Sequence, residues 1–148
     1  MIKSILREPS KILRTRSEVV VDFESKETKQ TIKDLIDTLL VTKEGLGLAA
    51  PQIGVNLRVF VLNMKGEIKI FINPEITHFS NKKNLFNEGC LSVPGEFDEM
   101  ERSSKVVMKY YDETGKKHKT TVKGLIAQAF QHEIDHLNGI LYVDKLIK

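Results

Sequence analysis

Residues 124–138, GLIAQAFQHEIDHLN, constrain the fold of this chain more than any other stretch. The periodicity predicts a helix that Gly124 opens, with Gly139 as its C-terminal stop. On that helix Leu125, Ala129, His132 and His136 share one face, while Ile126, Phe130, Ile134 and Leu137 cover much of the remainder. A helix apolar nearly all round belongs in an interior, so the rest of the chain must wrap it. Two imidazoles and a carboxylate on such an element are expensive to desolvate without a strong partner. One candidate partner is a metal ion. Imidazoles at i and i+4 lie one above the other and can reach the same ion. Glu133, next to the first, can exchange protons with a water on that ion. The plainer alternative is a pair of core histidines satisfied by hydrogen bonds.

Periodicity also predicts the elements around this helix. Ile32, Leu35, Ile36, Leu39 and Leu40 recur in steps of three and four, giving one apolar stripe on a helix over 27–42. The glycines and proline of EGLGLAAPQIG (44–54) end it and open a loop. Residues 58–64, RVFVLNM, read as a strand, Lys65-Gly66 as a turn and residues 68–72 as a second strand. Asn73-Pro74 ends that strand and 75–79 adds another, whereas NKKNLFNEG is polar and loop-like. Residues 105–111 and 118–122 form a hairpin across a turn containing Gly115. The order helix, strands, helix indicates an α+β fold rather than a βαβ series. The expectation is a single domain over 1–148: antiparallel or mixed strands packed around a buried C-terminal HExxH helix, with an amphipathic helix towards the N-terminus.

The length of 148 residues suits one domain with a core that needs no disulfides. With a lone cysteine, Cys90, no internal disulfide can form, which excludes a disulfide-built secreted fold. The net charge of +3 is interspersed, without the basic stripe of a nucleic-acid binder. The opening MIKSILREPSKILRTRSEVV is too broken by charge for a signal peptide or a membrane span, so a cytoplasmic protein is expected.

A catalytic metal site with two histidines needs a third protein ligand and an open position. Downstream of the pair lies no further His, and Asp144 is the sole carboxylate. Upstream, Cys90 stands in Glu88-Gly89-Cys90-Leu91-Ser92. A lone Cys is more often a small buried hydrophobe than a ligand, but this one follows a glycine in a polar stretch, which favours a functional role. His78 and His118 fall in charge-rich segments and are expected at the surface. The third element, Gly45-Leu46-Gly47-Leu48-Ala49-Ala50-Pro51-Gln52, lacks both GxGxxG spacing and a phosphate-loop lysine. It is either a close-packed turn or a flat wall that lets a peptide backbone approach, with Gln52 as an amide donor.

Together these segments resemble the three signature motifs of the peptide deformylase family, GxGxAAxQ, EGCLS and HExDH, complete and in that family's order. The resemblance implies a hydrolase that removes the formyl group from N-formylmethionyl polypeptides and releases formate. It implies one divalent metal ion held by Cys90, His132 and His136, natively Fe2+, with Zn2+ or Ni2+ able to substitute. Glu133 would be general base and then acid, and the Gln52 amide and the Leu91 N–H would hold the oxyanion. Substrate backbone would pair with Leu46, Gly47 and Gly89, and the methionine side chain would enter a pocket at Leu125 and Ala129. Arg102 matches a recurrent family arginine, with Glu44 or Asp135 as its expected partner. The partners implied are formylated peptides and the ribosome near its exit tunnel. Longer members carry a C-terminal helix that in some contacts the ribosome, whereas only a few residues follow Asp144 here. The carboxylate-rich stretch 95–101 corresponds to a region near the family's substrate groove. Two rival classes are an HExxH peptidase, which should have a downstream third ligand, and a metal-stabilised binding protein, which should have four protein ligands.

Overall fold

The computed structural model describes residues 1–7, 10–42, 46–90 and 92–140, with side chains throughout except at 87–90 and 93–98. Among them are two α-helices, α1 (Lys26–Leu40) and α2 (Gly124–Leu137). The strands are β1 (Gly47–Ala49), β2 (Val59–Met64), β3 (Glu67–Phe79), β4 (Lys83–Cys90), β5 (Val93–Ser103), β6 (Lys105–Tyr111) and β7 (Lys117–Lys123). Five form an antiparallel sheet in the order β1-β2-β3-β6-β7, and β4 and β5 form a separate antiparallel pair. None of the helices described is long and apolar enough to cross a membrane.

Side-chain alternation along β2 explains the layers. Val59 and Val61 point to one face of the sheet, where they pack with Ile32, Leu35 and Leu39 of α1. Phe60 and Leu62 point to the other face and pack with Ala127, Phe130, Ile134 and Leu137 of α2. A strand buried on both faces reads as an unbroken apolar run, as β2 does. Phe71 of β3 joins the α2 side, 4.9 Å from both Phe60 and Phe130. Ser25 caps α1 by accepting from the Thr28 N–H at 3.1 Å, a bond worth about 1 kcal/mol. At the far edge, exposed Lys117, Lys119 and Lys123 of β7 discourage pairing with another chain.

The structure corrects the sequence reading in three places. Strand β3 continues through Asn73-Pro74, with a register shift between Ile72 and Glu75 and a positive φ of 49° at Asn73. The Asn73 side chain accepts from the Val20 N–H at 2.7 Å and donates to the Val20 carbonyl at 2.8 Å, which anchors the bulge. Pro74 can sit in the strand because a bulge tolerates a missing N–H. The polar stretch expected as a loop is strand β4, paired along its length with β5. The segment 44–54, expected as a loop, contains strand β1 and a 3-10 turn at Ala50–Ile53.

The exit of α2 is tightly held. The Gly139 N–H donates to the His136 carbonyl at 3.1 Å and the Ile140 N–H to the Asp135 carbonyl at 2.8 Å, with Gly139 at φ 76°. These two hydrogen bonds satisfy carbonyls that a helix end leaves open. The Leu137 carbonyl accepts from the Ser17 N–H and the Ser17 hydroxyl, both at 2.8 Å, and from Arg58 Nη1 at 3.0 Å. Burial, then nearby Arg16, lowers the Arg58 pKa, but a guanidinium stays protonated and favours the negative end of the helix dipole. A Cβ at Gly139 would lie 2.6 Å from the Arg14 carbonyl oxygen. Gly139→Ala therefore combines left-handed strain with a backbone clash and should cost about 2 kcal/mol or more. Thermal denaturation should show a fall of roughly 4–8 °C. An unchanged midpoint would contradict this packing.

Candidate metal centre

Helix α2 brings two imidazoles and a carboxylate to one point. His132 Nε2 and His136 Nε2 are 3.2 Å apart. One ligand atom from each of His132, Glu133 and His136 lies within 4.8 Å of the others. Two nitrogens about 2.1 Å from a tetrahedral ion would be about 3.4 Å apart, so the imidazole pair suits a divalent ion of that kind. His136 and Glu133 are buried, while His132 is half-buried, so the cluster keeps one side open.

Strand β1 closes the site from above. A Cβ at Gly47 would collide with Leu62 Cδ2 and lie 3.1 Å from the Val61 carbonyl oxygen and 3.3 Å from the Glu133 carboxyl carbon. Glycine is what lets the backbone pass this close to the catalytic-type carboxylate. Gln52 follows on the 3-10 turn and is 1% exposed. Its Oε1 accepts from the Ala49 N–H at 3.0 Å, and its Nε2 donates to Ser92 Oγ at 3.3 Å. An acceptor is required opposite the Ala49 N–H, so the amide has one sensible orientation, with its NH2 towards the EGCLS segment.

The β4–β5 pair docks on the neighbouring face of α2. Arg102 Nη1 meets Asp135 Oδ2 at 2.7 Å, both residues being buried. One turn earlier, the Gln131 side chain accepts from the Ser103 N–H at 3.1 Å and donates to the Ser103 carbonyl at 2.8 Å. Of the two partners expected for Arg102, Asp135 is thus observed, and Glu44 lies outside the described residues.

The other expected site residues fall as follows. Cys90 is the last residue of β4, and Gly89 pairs with Phe97 in the ladder. The Cys90 thiol, the side chains of 95–98, Leu91 and Asp144 lie outside what is described. Leu46 precedes β1, and its carbonyl accepts from the Asn63 N–H at 2.8 Å. Ala129 is buried in the core, whereas Leu125, in the first turn of α2, is 60% exposed. His78 is exposed as expected. His118 is not a plain surface residue: its Nε2 lies 2.7 Å from Asp112 Oδ2 and its ring stacks on Tyr110. The Thr114 hydroxyl, then His118, holds the Asp112 carboxyl well below the usual carboxylate range. Two residues at the centre carried no role in the sequence, Ser92 and Gln131. Their signal was only adjacency, Ser92 within EGCLS and Gln131 immediately before His132.

A family model described as polypeptide deformylase matches residues 2–148. The chain belongs to the polypeptide deformylase family. The peptide deformylase of Pseudothermotoga lettingae is 43% identical over 144 residues, covering 97% of this chain and 82% of that protein. A crystal structure of a peptide deformylase from Legionella pneumophila matches with a TM-score of 0.93 at 43% identity, over 99% of this chain and 87% of that one. A Met-Ala-Ser-bound class I type b peptide deformylase from Acinetobacter baumannii matches with a TM-score of 0.91 at 32% identity, over 99% of each chain. The family is metal-dependent, and His132, Glu133 and His136 are the group through which this member could hold an ion.

Proposed function

We propose that residues 1–148 act as one catalytic domain, a metal-dependent hydrolase that removes the formyl group from N-formylmethionyl polypeptides as they are made in the cytoplasm. Membership of the deformylase family supports the activity. The observation that carries the mechanism is the His132–Glu133–His136 cluster, buried at Glu133 and His136 and half-open at His132, with the Glu133 carboxyl against the glycine of an edge strand.

Cys90, His132 and His136 would hold the cation, a thiolate and imidazole set compatible with Fe2+, Zn2+ or Ni2+, with Fe2+ as the native ion proposed. When bound, such a cation supplies Lewis acidity and a water that ionises near neutral pH. Glu133 accepts the proton from the attacking water at its carboxylate and returns it to the departing amine nitrogen. Oxygen is thereby added to the formyl carbon, the C–N bond breaks, and formate and a free N-terminal amine result. The Gln52 amide and the Leu91 N–H stabilise charge on the formyl oxygen, where loss of one donor typically costs about 10²–10³ in rate. Strand β1 pairs only with β2 among the described strands, which leaves its outer edge for a substrate backbone. Leu46 and Gly47 would bond that backbone on one side and Gly89 on the other. The Met-Ala-Ser complex of the Acinetobacter relative supports a short peptide beginning with methionine as the occupant. Leu125 and Ala129, two turns and one turn before His132, would line the methionine pocket.

The test is formate release from formyl-Met-Ala-Ser by protein prepared without oxygen, with unblocked Met-Ala-Ser as the comparison. Formate and intact Met-Ala-Ser are expected, with activity lost on chelation and restored by Fe2+. Cleavage between amino acids with the formyl group untouched would favour the HExxH peptidase instead.

A further inference from the structure

We propose that the lysine-bearing face of the β6–β7 hairpin, with the cavity beside the start of α2, is a contact surface for the phosphate backbone of RNA. The lysines are interspersed along the sequence, and strand pairing gathers them. Val106, Met108 and Val122 turn to the α2 side of the sheet, so alternation sends Lys105, Lys109, Lys119 and Lys123 to the other face. Helix α1 covers that face over β1 and β2, and the face is exposed at Lys105, Lys119 and Lys123. In register, Lys105 stands opposite Lys123 and Lys109 opposite Lys119. Like charges directly opposite destabilise a strand pair, and this hairpin carries two such pairs. Guarding the sheet edge accounts for the lysines of β7, but not for their partners on β6, which is paired on both sides. One carboxylate, Glu75 of β3, stands in register beside Lys109. At the open end of the hairpin, Lys105 and Lys123 join Lys82 around a cavity of about 600 Å³ that Ser80, Ser104 and Asn84 also line, with no carboxylate among the lining residues. None of these five lysines has an ion-pair partner among the described residues. The backbone beneath them is fixed. The Ser80 hydroxyl accepts from the Lys105 N–H at 3.1 Å and donates to the Lys82 carbonyl at 2.8 Å. The Ser80 N–H donates to the Lys105 carbonyl and the Ser104 N–H to the Lys82 carbonyl, both at 2.9 Å. The fold thus holds like charges close together, a repulsion that a bound polyanion relieves. The two cross-strand pairs lie four residues apart along the strands, about 13 Å. With the cavity they make a track, which suits a chain of phosphates better than a single small anion. Lysine is depleted at protein–protein interfaces, whose cores are apolar, and only Val107 and Thr121 stand between the two pairs. This favours a nucleic-acid backbone over an acidic protein. Contacts from lysine to phosphate carry no sequence information, so binding should be independent of base sequence. The choice of RNA over DNA rests on the proposed function, since polypeptides are made on RNA-rich machinery.

The experiment titrates the metal-loaded protein into a fluorescent single-stranded RNA and follows anisotropy as salt is raised. Phosphate contacts from all five lysines predict a slope of about −3.5 in log K against log salt, a loss of about 100-fold between about 50 and 200 mM. A variant carrying Lys105→Gln, Lys119→Gln and Lys123→Gln should bind at least about 10-fold more weakly at the lower salt, with a slope shallower by about 2. Its formate release from formyl-Met-Ala-Ser should match wild type, which reports folding separately from RNA binding. A matched variant, Lys11→Gln, Lys26→Gln and Lys65→Gln, removes the same charge from exposed lysines elsewhere. It should bind RNA within about twofold of wild type, because salt screens distant charges. Should the β6–β7 variant fail to fold, Lys119→Gln alone should flatten the slope by about 0.7. Equal weakening in the two triple variants, a salt slope that the β6–β7 changes leave untouched, or no binding at the lower salt would overturn the proposal. Polyglutamate binding as tightly as RNA would make this a face for acidic protein and overturn it too. Inorganic phosphate that displaces RNA beyond chloride of equal ionic strength would assign the cavity to a small anion, with the same result. Formate release absent from wild type while RNA binding persists would remove the deformylase reading and support the phosphate contact.

Discussion

Glu133→Ala is expected to retain a full complement of metal and to lose about 10²–10⁴ in kcat. The size follows from the usual worth of a positioned acid–base group. The direction follows from where the carboxylate sits. Glu133 is 3% exposed, one residue from His132, and stands on the same turn as the imidazole pair. Truncation leaves both Nε2 atoms, the helix and its capped exit in place, and alanine is the best helix former. Formate release measured against bound metal therefore separates the two roles. A variant with metal and full turnover would mean that another group carries the proton. A variant without metal would make Glu133 a ligand and leave the acid–base role unassigned.

Gly47→Ala should be nearly as damaging although it removes nothing. Its methyl would meet the Leu62 side chain, the Val61 carbonyl oxygen at 3.1 Å and the Glu133 carboxyl at 3.3 Å. Leu62 can move, but the Val61 carbonyl belongs to the β2 backbone, paired across β1 and β3. The strain is relieved by pushing β1 outward or Glu133 aside. Overpacking of this kind costs about 1–3 kcal/mol of stability, and a displacement of about 1 Å at a reacting group can cost about 100-fold in rate. The variant should bind metal normally, melt a few degrees lower and deformylate about 100-fold more slowly. Wild-type kcat/KM would show that β1 does not lie over the carboxylate as described.

The elements legible in the sequence are those whose signal is local. The α1 stripe from Ile32 to Leu39 repeats every three or four residues because one face packs on β2. The run VFVLNM of β2 is apolar without alternation because α1 and α2 cover opposite faces of it. The β6–β7 hairpin announces itself through Gly115, whose φ of 85° the turn requires. Strands β4 and β5 gave no such signal. Polar strands whose stability comes from pairing with each other and docking on α2 have no buried face written along them. The bulge at Asn73 was hidden for a related reason, since its anchor is Val20, 53 residues away.

Of the centre itself, residue order determined that two imidazoles share one helix face with a glutamate beside the first, that this helix is buried, and that a glycine-rich turn and a cysteine motif accompany it. Helical geometry alone carries His132 to His136, because four residues are slightly more than one turn. Tertiary structure decided which groups meet across the chain: Gly47 with the Glu133 carboxyl, Gln52 with Ser92, Arg102 with Asp135, and Ser17 and Arg58 with the end of α2. Each of these contacts joins residues brought together by sheet pairing and helix docking. Their distances are set by how whole elements pack, and no periodicity within a single element encodes them.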